Sequence, residues 1–466
     1  MENFSGFLFW GFLIVYGVLL FFFSPHVVSL GGFFRGEDRK GRAASPFILT
    51  ASIFISWIFA KSVANAANLG AKFGILGGLA YATYWLCIPL AGFVIYRLRR
   101  KFAAKGLVDF LTTNYGIAAA LAFSAAILIR LFNEIWSNSS VVGAYYGENG
   151  STYFVLASLA ITVIALAYSM KGGLRSSLIT DTIQAFLFVG ILIFVLVWIV
   201  PNHSPRDYVS TSIWSLATGV DLLLVTMLQI FSYPFHDPVL TDLGFISDER
   251  DMLKAFTISG ILGFFAILAF SLIGIHYSLE GLPLTGNVVA SLGRTMSTAA
   301  FFLLAVMMIA TAGSTLDSTF SSLSKLVAQE LPHMAGKDFG QKARFIGMAV
   351  MVLFALVGNM PMVLGTDILK ATTISGTMVM GLAPIFILHG IIKPTRLGFH
   401  LSFWTGIALG VAFTAGVIPQ HLGIGTGENA LLLAVNLYGL ILCTLGYVLP
   451  GLIASVSQRK ERELGL

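Results

Sequence analysis

Runs of about twenty apolar residues, parted by short polar connections, recur along almost the whole chain, and each is long enough to cross a bilayer core as a helix. A lipid-exposed segment must satisfy its own backbone hydrogen bonds, and in runs of this length a helix does so. The runs fall at roughly 6–29, 46–70, 74–96, 113–143, 152–170, 178–200, 213–235, 255–278, 296–325, 344–365, 368–392, 398–418 and 430–455. They predict an all-α polytopic membrane protein of about 13 transmembrane helices. Composition agrees: 11% of the 466 residues are charged, against about 25% in soluble proteins. The opening run has no basic flank and no small-residue cleavage site, so it reads as a retained span, not a signal peptide.

The connections alternate in charge. "RGEDRKGR", "RLRRKFAAK", "MKGGLR", "SDERDMLK", "AGKDFGQKAR", "IKPTR" and "SQRKERE" all carry lysine or arginine. Of 28 basic residues, 22 fall on this side, 2 (Arg206 and Arg294) on the other, and 4 within spans. That bias predicts an external N-terminus and a cytoplasmic C-terminus in the plasma membrane, a bacterial inner membrane being favoured. It also gives the positive net charge a use other than nucleic-acid binding. Cys87 and Cys443 lie in apolar runs and imply no disulfide framework. "GIGTGE" (423–428) has phosphate-loop glycines but no following lysine, so it is not read as a nucleotide site.

Charges inside spans cost about 2.5–3.5 kcal/mol each on insertion scales and need a reason. They are Lys61, Arg130, Glu134, Asp181, Asp221, Asp237, Asp317, Asp367 and Lys370. From Thr311 to Ser322 the chain also carries seven hydroxyl side chains. At helical periodicity Thr311, Ser314, Thr315, Ser318 and Ser322 share an arc of about 100°. Such a stripe suits either close helix packing or a hard cation that takes oxygen ligands. Asp181 and Gln184 lie one turn apart behind "MKGGLR", where an interfacial helix cap explains the carboxylate equally well. Arg130 and Glu134 stand at i,i+4 and read as an intrahelical ion pair. In "FSYPFHDPVL" (231–240), Pro234 and Pro238 flank His236 and Asp237. This stretch is either a helix broken at membrane depth to line a cavity or the start of a cytoplasmic loop.

Several motifs together resemble the sodium:solute symporter family. "KGGLRSSLITDTIQAF" resembles its "GGL…TD.IQ" signature, and "TAGSTLDS" the paired-hydroxyl motif of the eighth core helix. "GLVDFLTTNYG" (106–116) resembles the segment before the third core helix, and "NLGAKFGILGG" (68–78) the exit from the first. The resemblance runs from about 45 to 455. It implies an extra N-terminal helix (1–30) and a ten-helix core (45–392) of five-plus-five inverted repeats, about 46–200 and 213–392. Two C-terminal helices (398–456) and a cytoplasmic tail (457–466) follow. The first helix of each repeat would be broken at mid-membrane.

The implied job is symport, sodium moving down its gradient and drawing in a small organic solute, an amino acid or carboxylate favoured. By position, the resemblance assigns Ser314 and Thr315 to the sodium-binding hydroxyl pair. Thr311, Ile55 and Ile58 become carbonyl ligands, and Asp181 lies on the sodium path. Lys61, Asn65, His236 and Asp237 fall in substrate-contacting regions, where this chain departs from the family pattern. Lys61 is expected to meet a substrate carboxylate or to pair with Asp237 or Asp317, and Ser318 is expected to lie outside the sodium site. Proton-coupled or sodium-independent transport and a transporter-like membrane sensor are the alternatives. No protease or hydrolase motif points to an enzyme, and no obligatory protein partner is evident.

Overall fold

The computed structural model describes residues 2–284, 286–364 and 375–464. Regular structure among them is helical apart from one isolated bridge between His389 and Ile392. Nine of the described helices are long and apolar enough to cross a bilayer. Two of these are too long for a single crossing, at 43 residues (Ala60–Phe102) and 51 residues (Thr152–Asn202). At 1.5 Å per residue each would run about twice the ~30 Å hydrocarbon thickness. Each is divided at a glycine of positive φ, Gly74 (φ 63°, ψ −146°) and Gly173 (φ 54°, ψ −141°). The loop expected at "MKGGLR" is therefore one non-helical residue. A side chain at Gly173 would also strike the backbone oxygen of Phe33. The eleventh expected span begins among residues 365–374, so Asp367 and Lys370 lie outside the described residues.

The helices that matter here are α1 (Glu2–Phe23), α2 (Pro46–Trp57), α3 (Ala60–Ala82), α4 (Ile117–Gly143), α5 (Thr152–Ile199), α6 (Val220–Gln229), α7 (Pro238–Thr241), α8 (Glu249–Leu279) and α9 (Thr298–Lys325). Helix α2 starts on Ser45, whose hydroxyl accepts the Ile48 N–H, with Pro46 in the first turn. It stops after twelve residues, because Ile58 (φ −81°, ψ 72°) and Phe59 (φ −61°, ψ 143°) leave helical geometry before α3 resumes. Neither glycine nor proline stands at this interruption.

A second interruption replaces most of the expected span 213–235. Only Val220–Gln229 is α-helical, followed by a 3₁₀ turn (Tyr233–His236) and the four-residue α7. Pro234 and Pro238 cannot donate to a helix ladder. Tyr233 to Asp237 are all buried, so this is interior backbone and not the start of a water-exposed loop.

Helix α8 lies along α3 on small residues. A side chain at Gly274 would strike the Ala67 carbonyl, and one at Gly70 the Ser271 carbonyl. Basic side chains bind backbone carbonyls and a carboxylate at the helix connections. At one end Arg99 donates to the carbonyls of Gly244 and Ser247, Arg97 to those of Phe386 and Ile387, and Lys171 to that of Phe21. At the other, Lys72 pairs with Glu428 at 2.5 Å and Arg294 donates to the Ala144 carbonyl.

Overpacking a tight helix contact costs about 1–3 kcal/mol. Gly274→Ala should therefore lower the unfolding midpoint of purified protein, whereas Gly11→Ala on α1, with nothing near the new methyl group, should not. Thermal denaturation in detergent measures both.

Candidate functional site

The interruption between α2 and α3 leaves backbone groups that no helix ladder supplies. The Ile58 N–H donates to the Ile55 carbonyl at 3.0 Å. The Ser56 carbonyl accepts the Thr315 hydroxyl of α9 at 3.5 Å, and the Lys61 N–H approaches the Asn138 side-chain oxygen of α4 at 3.5 Å. Two polar clusters flank this gap.

The first joins α2, α5 and α9 around two carboxylates. Asp181 accepts hydroxyl hydrogen bonds from Ser314, from Ser52 at 2.5 Å, from Ser56 at 3.1 Å and from Ser177 at 3.3 Å. Asp317 accepts from Ser177 at 2.7 Å, Thr180 at 2.8 Å and Ser318 at 3.2 Å. The Ser177 hydroxyl thus stands between the two carboxylates. Every one of these side chains is buried, and the Asp181 and Asp317 residues are 0% exposed. Among the described residues neither carboxylate has a cationic side chain within ion-pair distance. A buried charge without a partner costs several kcal/mol, so the cluster calls for a cation or a proton.

The expected sodium ligands divide. Ser314 binds Asp181 directly. Thr315 reaches the Ser56 carbonyl but also donates to the Thr311 carbonyl at 3.1 Å, and the Thr311 hydroxyl bonds back to Met307 and Met308. The Ile55 carbonyl already accepts the Ile58 N–H, and Ile58 is one of the two residues at the interruption. Asp181 is no helix cap, since its partners come from α2 and α9 as well as its own helix. Ser318, expected outside the site, is inside it, 3.0 Å from Ser56 and 2.9 Å from Ser177. Ser52, Ser56, Ser177, Thr180 and Asp317 were not singled out as site residues. Ser52 and Ser56 do stand at i,i+4 in an apolar run, a weak signal that helix packing explains as well.

The second cluster is a chain of alternating charges at the other side of the gap. Lys61 Nζ lies 2.6 Å from Glu134 Oε1; Glu134 also pairs with Arg130, and Arg130 Nη2 lies 2.8 Å from Asp237 Oδ2. Lys61 therefore pairs with Glu134, not with Asp237 or Asp317. The Arg130–Glu134 pair is present as expected but extends to two further helices. Ser137 accepts from Lys61 at 3.2 Å and Asn138 donates to Glu134 at 2.8 Å. Phe59 lies under both cations, 5.1 Å from Lys61 and 5.4 Å from Arg130, and Tyr233 lies 5.6 Å from Arg130. His236 is buried beside it, its Nδ1 2.6 Å from the Tyr233 carbonyl and its Nε2 without a partner among the described residues. Asn65 stands apart, donating to Tyr81 at 3.2 Å.

Two cations and two anions make this second cluster neutral, and removing one member leaves a buried charge unmatched. Breaking such a pair costs about 3–5 kcal/mol. Lys61→Met should therefore destabilise the protein more than the double variant Lys61→Met/Glu134→Gln, in which charge balance returns. Unfolding midpoints of the two purified variants read this directly; a double variant less stable than the single would contradict it.

The geometry meets its relatives at this point. The fold is shared with a Na+-coupled sialic acid symporter, which in its substrate-bound outward-open state superposes with a TM-score of 0.74 at 14% identity, over 96% of this chain and 98% of that one. No family model matches the sequence. The urea active transporter of Saccharomyces cerevisiae is 21% identical over 291 residues, 56% of this chain and 38% of that protein. The sodium/pantothenate symporter of Escherichia coli is 24% identical over 222 residues, 46% of this chain and 45% of that protein. The matches thus span less than half of either relative's length. These relatives are sodium:solute symporter family members, and the resemblance read from the motifs holds.

Proposed function

We propose that this membrane protein is a secondary active transporter that couples sodium to the uptake of a small organic solute by alternating access. The observation that carries this reading is the Asp181–Asp317 cluster: two buried carboxylates ringed by hydroxyls, with no side-chain cation among the described residues. Sodium takes about six oxygen ligands as a hard cation, and Ser314, Thr315, Asp181 and the carbonyls at the α2 interruption offer them. The same two carboxylates also favour the second reading, proton coupling, because one proton held between them would neutralise half the charge.

The solute is a zwitterion such as an amino acid. Its carboxylate would take Glu134's place on Lys61 or Arg130, and its ammonium group would meet Glu134 or Asp237. Both exchanges keep the cluster neutral. Phe59 and Tyr233 supply an apolar wall, and His236 Nε2 a polar atom with no partner among the described residues. The interrupted helices then begin two five-helix repeats, 46–200 and 213–392, that rock about the site. The basic end faces the cytoplasm, which puts the N-terminus outside. The relatives are transporters, in keeping with a role other than an enzyme's.

Proteoliposome uptake of labelled amino acids, run with sodium and with pH gradients, tests the reading. Sodium should drive accumulation; a pH gradient driving it equally without sodium would select the proton reading. Losing one neutral ligand is worth about 1–3 kcal/mol. Ser314→Ala or Thr315→Ala should therefore weaken apparent sodium affinity roughly tenfold to a hundredfold, and solute affinity at fixed sodium should fall with it.

A further inference from the structure

A third polar cluster lies at the sparsely basic end of the bundle, away from both clusters at the interruptions. His276 and Glu280 stand at i,i+4 where α8 ends, and His203 comes from the extended backbone just after α5. His203 Nε2 is 3.0 Å from Glu280 Oε1, and His276 Nε2 is 3.9 Å from the same oxygen. One ligand atom from each of the three lies within 4.8 Å of the others. The two imidazole rings are 5.3 Å apart. Asn202, Leu292, Thr295 and Met296 join His276 and Glu280 in lining a 290 Å³ cleft beside them.

We propose that His203, His276 and Glu280 form a binding site for a divalent transition-metal ion of the zinc class. Two imidazoles and one carboxylate are a donor set that tetrahedral zinc accepts, with a fourth position left for water. Ligand atoms around such an ion sit about 3.3 Å apart, from metal–ligand bonds of about 2.0–2.1 Å. The separations of 3.0 and 3.9 Å bracket that edge, so modest side-chain rotations close the site. Among the described residues His276 Nδ1 is buried and has no partner, so no hydrogen bond there pins the ring's tautomer, and Nε2 can offer its lone pair to an ion held between it and Glu280. His203 and Glu280 keep 22% and 45% of their side-chain surface, which leaves a route for the ion from solvent. Nitrogen donors favour zinc, copper and nickel over magnesium and calcium.

A bound ion would tie the outer end of α5 to the outer end of α8. A tie of this kind limits relative movement of those helices. The site stands on its own geometry and does not depend on which solute or coupling ion the protein carries.

Zinc binding to purified full-length protein, measured by competition with a chromophoric chelator, tests the site. Wild type should bind one zinc ion per chain, unaffected by excess magnesium, with a raised unfolding midpoint. His203→Ala, His276→Ala and Glu280→Gln should each weaken binding at least about tenfold and abolish the thermal shift. His421→Ala, a histidine outside the cluster, should change neither. Equal zinc affinity in wild type and the three site variants, or no zinc bound by wild type, would overturn the proposal. Should a site variant fail to fold, diethylpyrocarbonate labelling decides: zinc should protect His203 and His276 in wild type, and unprotected labelling would count against the site.

Discussion

A helix interrupted at membrane depth strands backbone groups where no water can reach them, and each costs free energy unless another helix supplies a partner. Here the interruption lies between Trp57 and Ala60, and α4 and α9 meet the backbone on either side of it, Asn138 at the Lys61 N–H and Thr315 at the Ser56 carbonyl. The arrangement of the interior follows from this. Helices α4 and α9 are held against α2 and α3 by the same polar side chains that would otherwise be liabilities in lipid. The close α3–α8 contact, made on Gly70 and Gly274, keeps the second half of the interrupted helix in place.

The gap also separates two electrostatic environments. On one side Asp181 and Asp317 share hydroxyl donors and, among the described residues, no side-chain cation; on the other Lys61, Glu134, Arg130 and Asp237 balance among themselves. On the proposed reading the unbalanced pocket would take a cation, and the balanced one would exchange its internal partners for those of a solute that carries both signs. Because Ser56 touches the first cluster with its hydroxyl and the gap with its carbonyl, a cation bound there, as proposed, would be coupled to the geometry of the interruption. Linkage of this type is reciprocal: whatever the cation does for the solute, the solute does for the cation.

Much of this was readable from the residues. Apolar run length gave the helical class. The hydroxyl stripe on α9 and the signature around Asp181 pointed to the first cluster. What stayed hidden was whatever depends on distant partners. The resemblance implied a break in the first core helix, but its place at Ile58–Phe59 has no glycine or proline to mark it, and the polar groups that meet it come from the distant α4 and α9. Lys61 finds Glu134 seventy-three positions away, so the local i,i+4 reading of Arg130–Glu134 saw only one link of a four-residue chain. Asp317 points into the same cluster as Asp181, yet 136 positions of sequence separate them.

The central claim is that the Asp181–Asp317 cluster holds a sodium ion. Equilibrium binding of radiolabelled sodium to the purified protein measures it without any knowledge of the solute. The account predicts saturable binding that unlabelled sodium displaces, that potassium does not, and that Asp181→Asn removes while the protein stays folded. Absence of saturable binding to the wild type, or binding unchanged in Asp181→Asn, would contradict it.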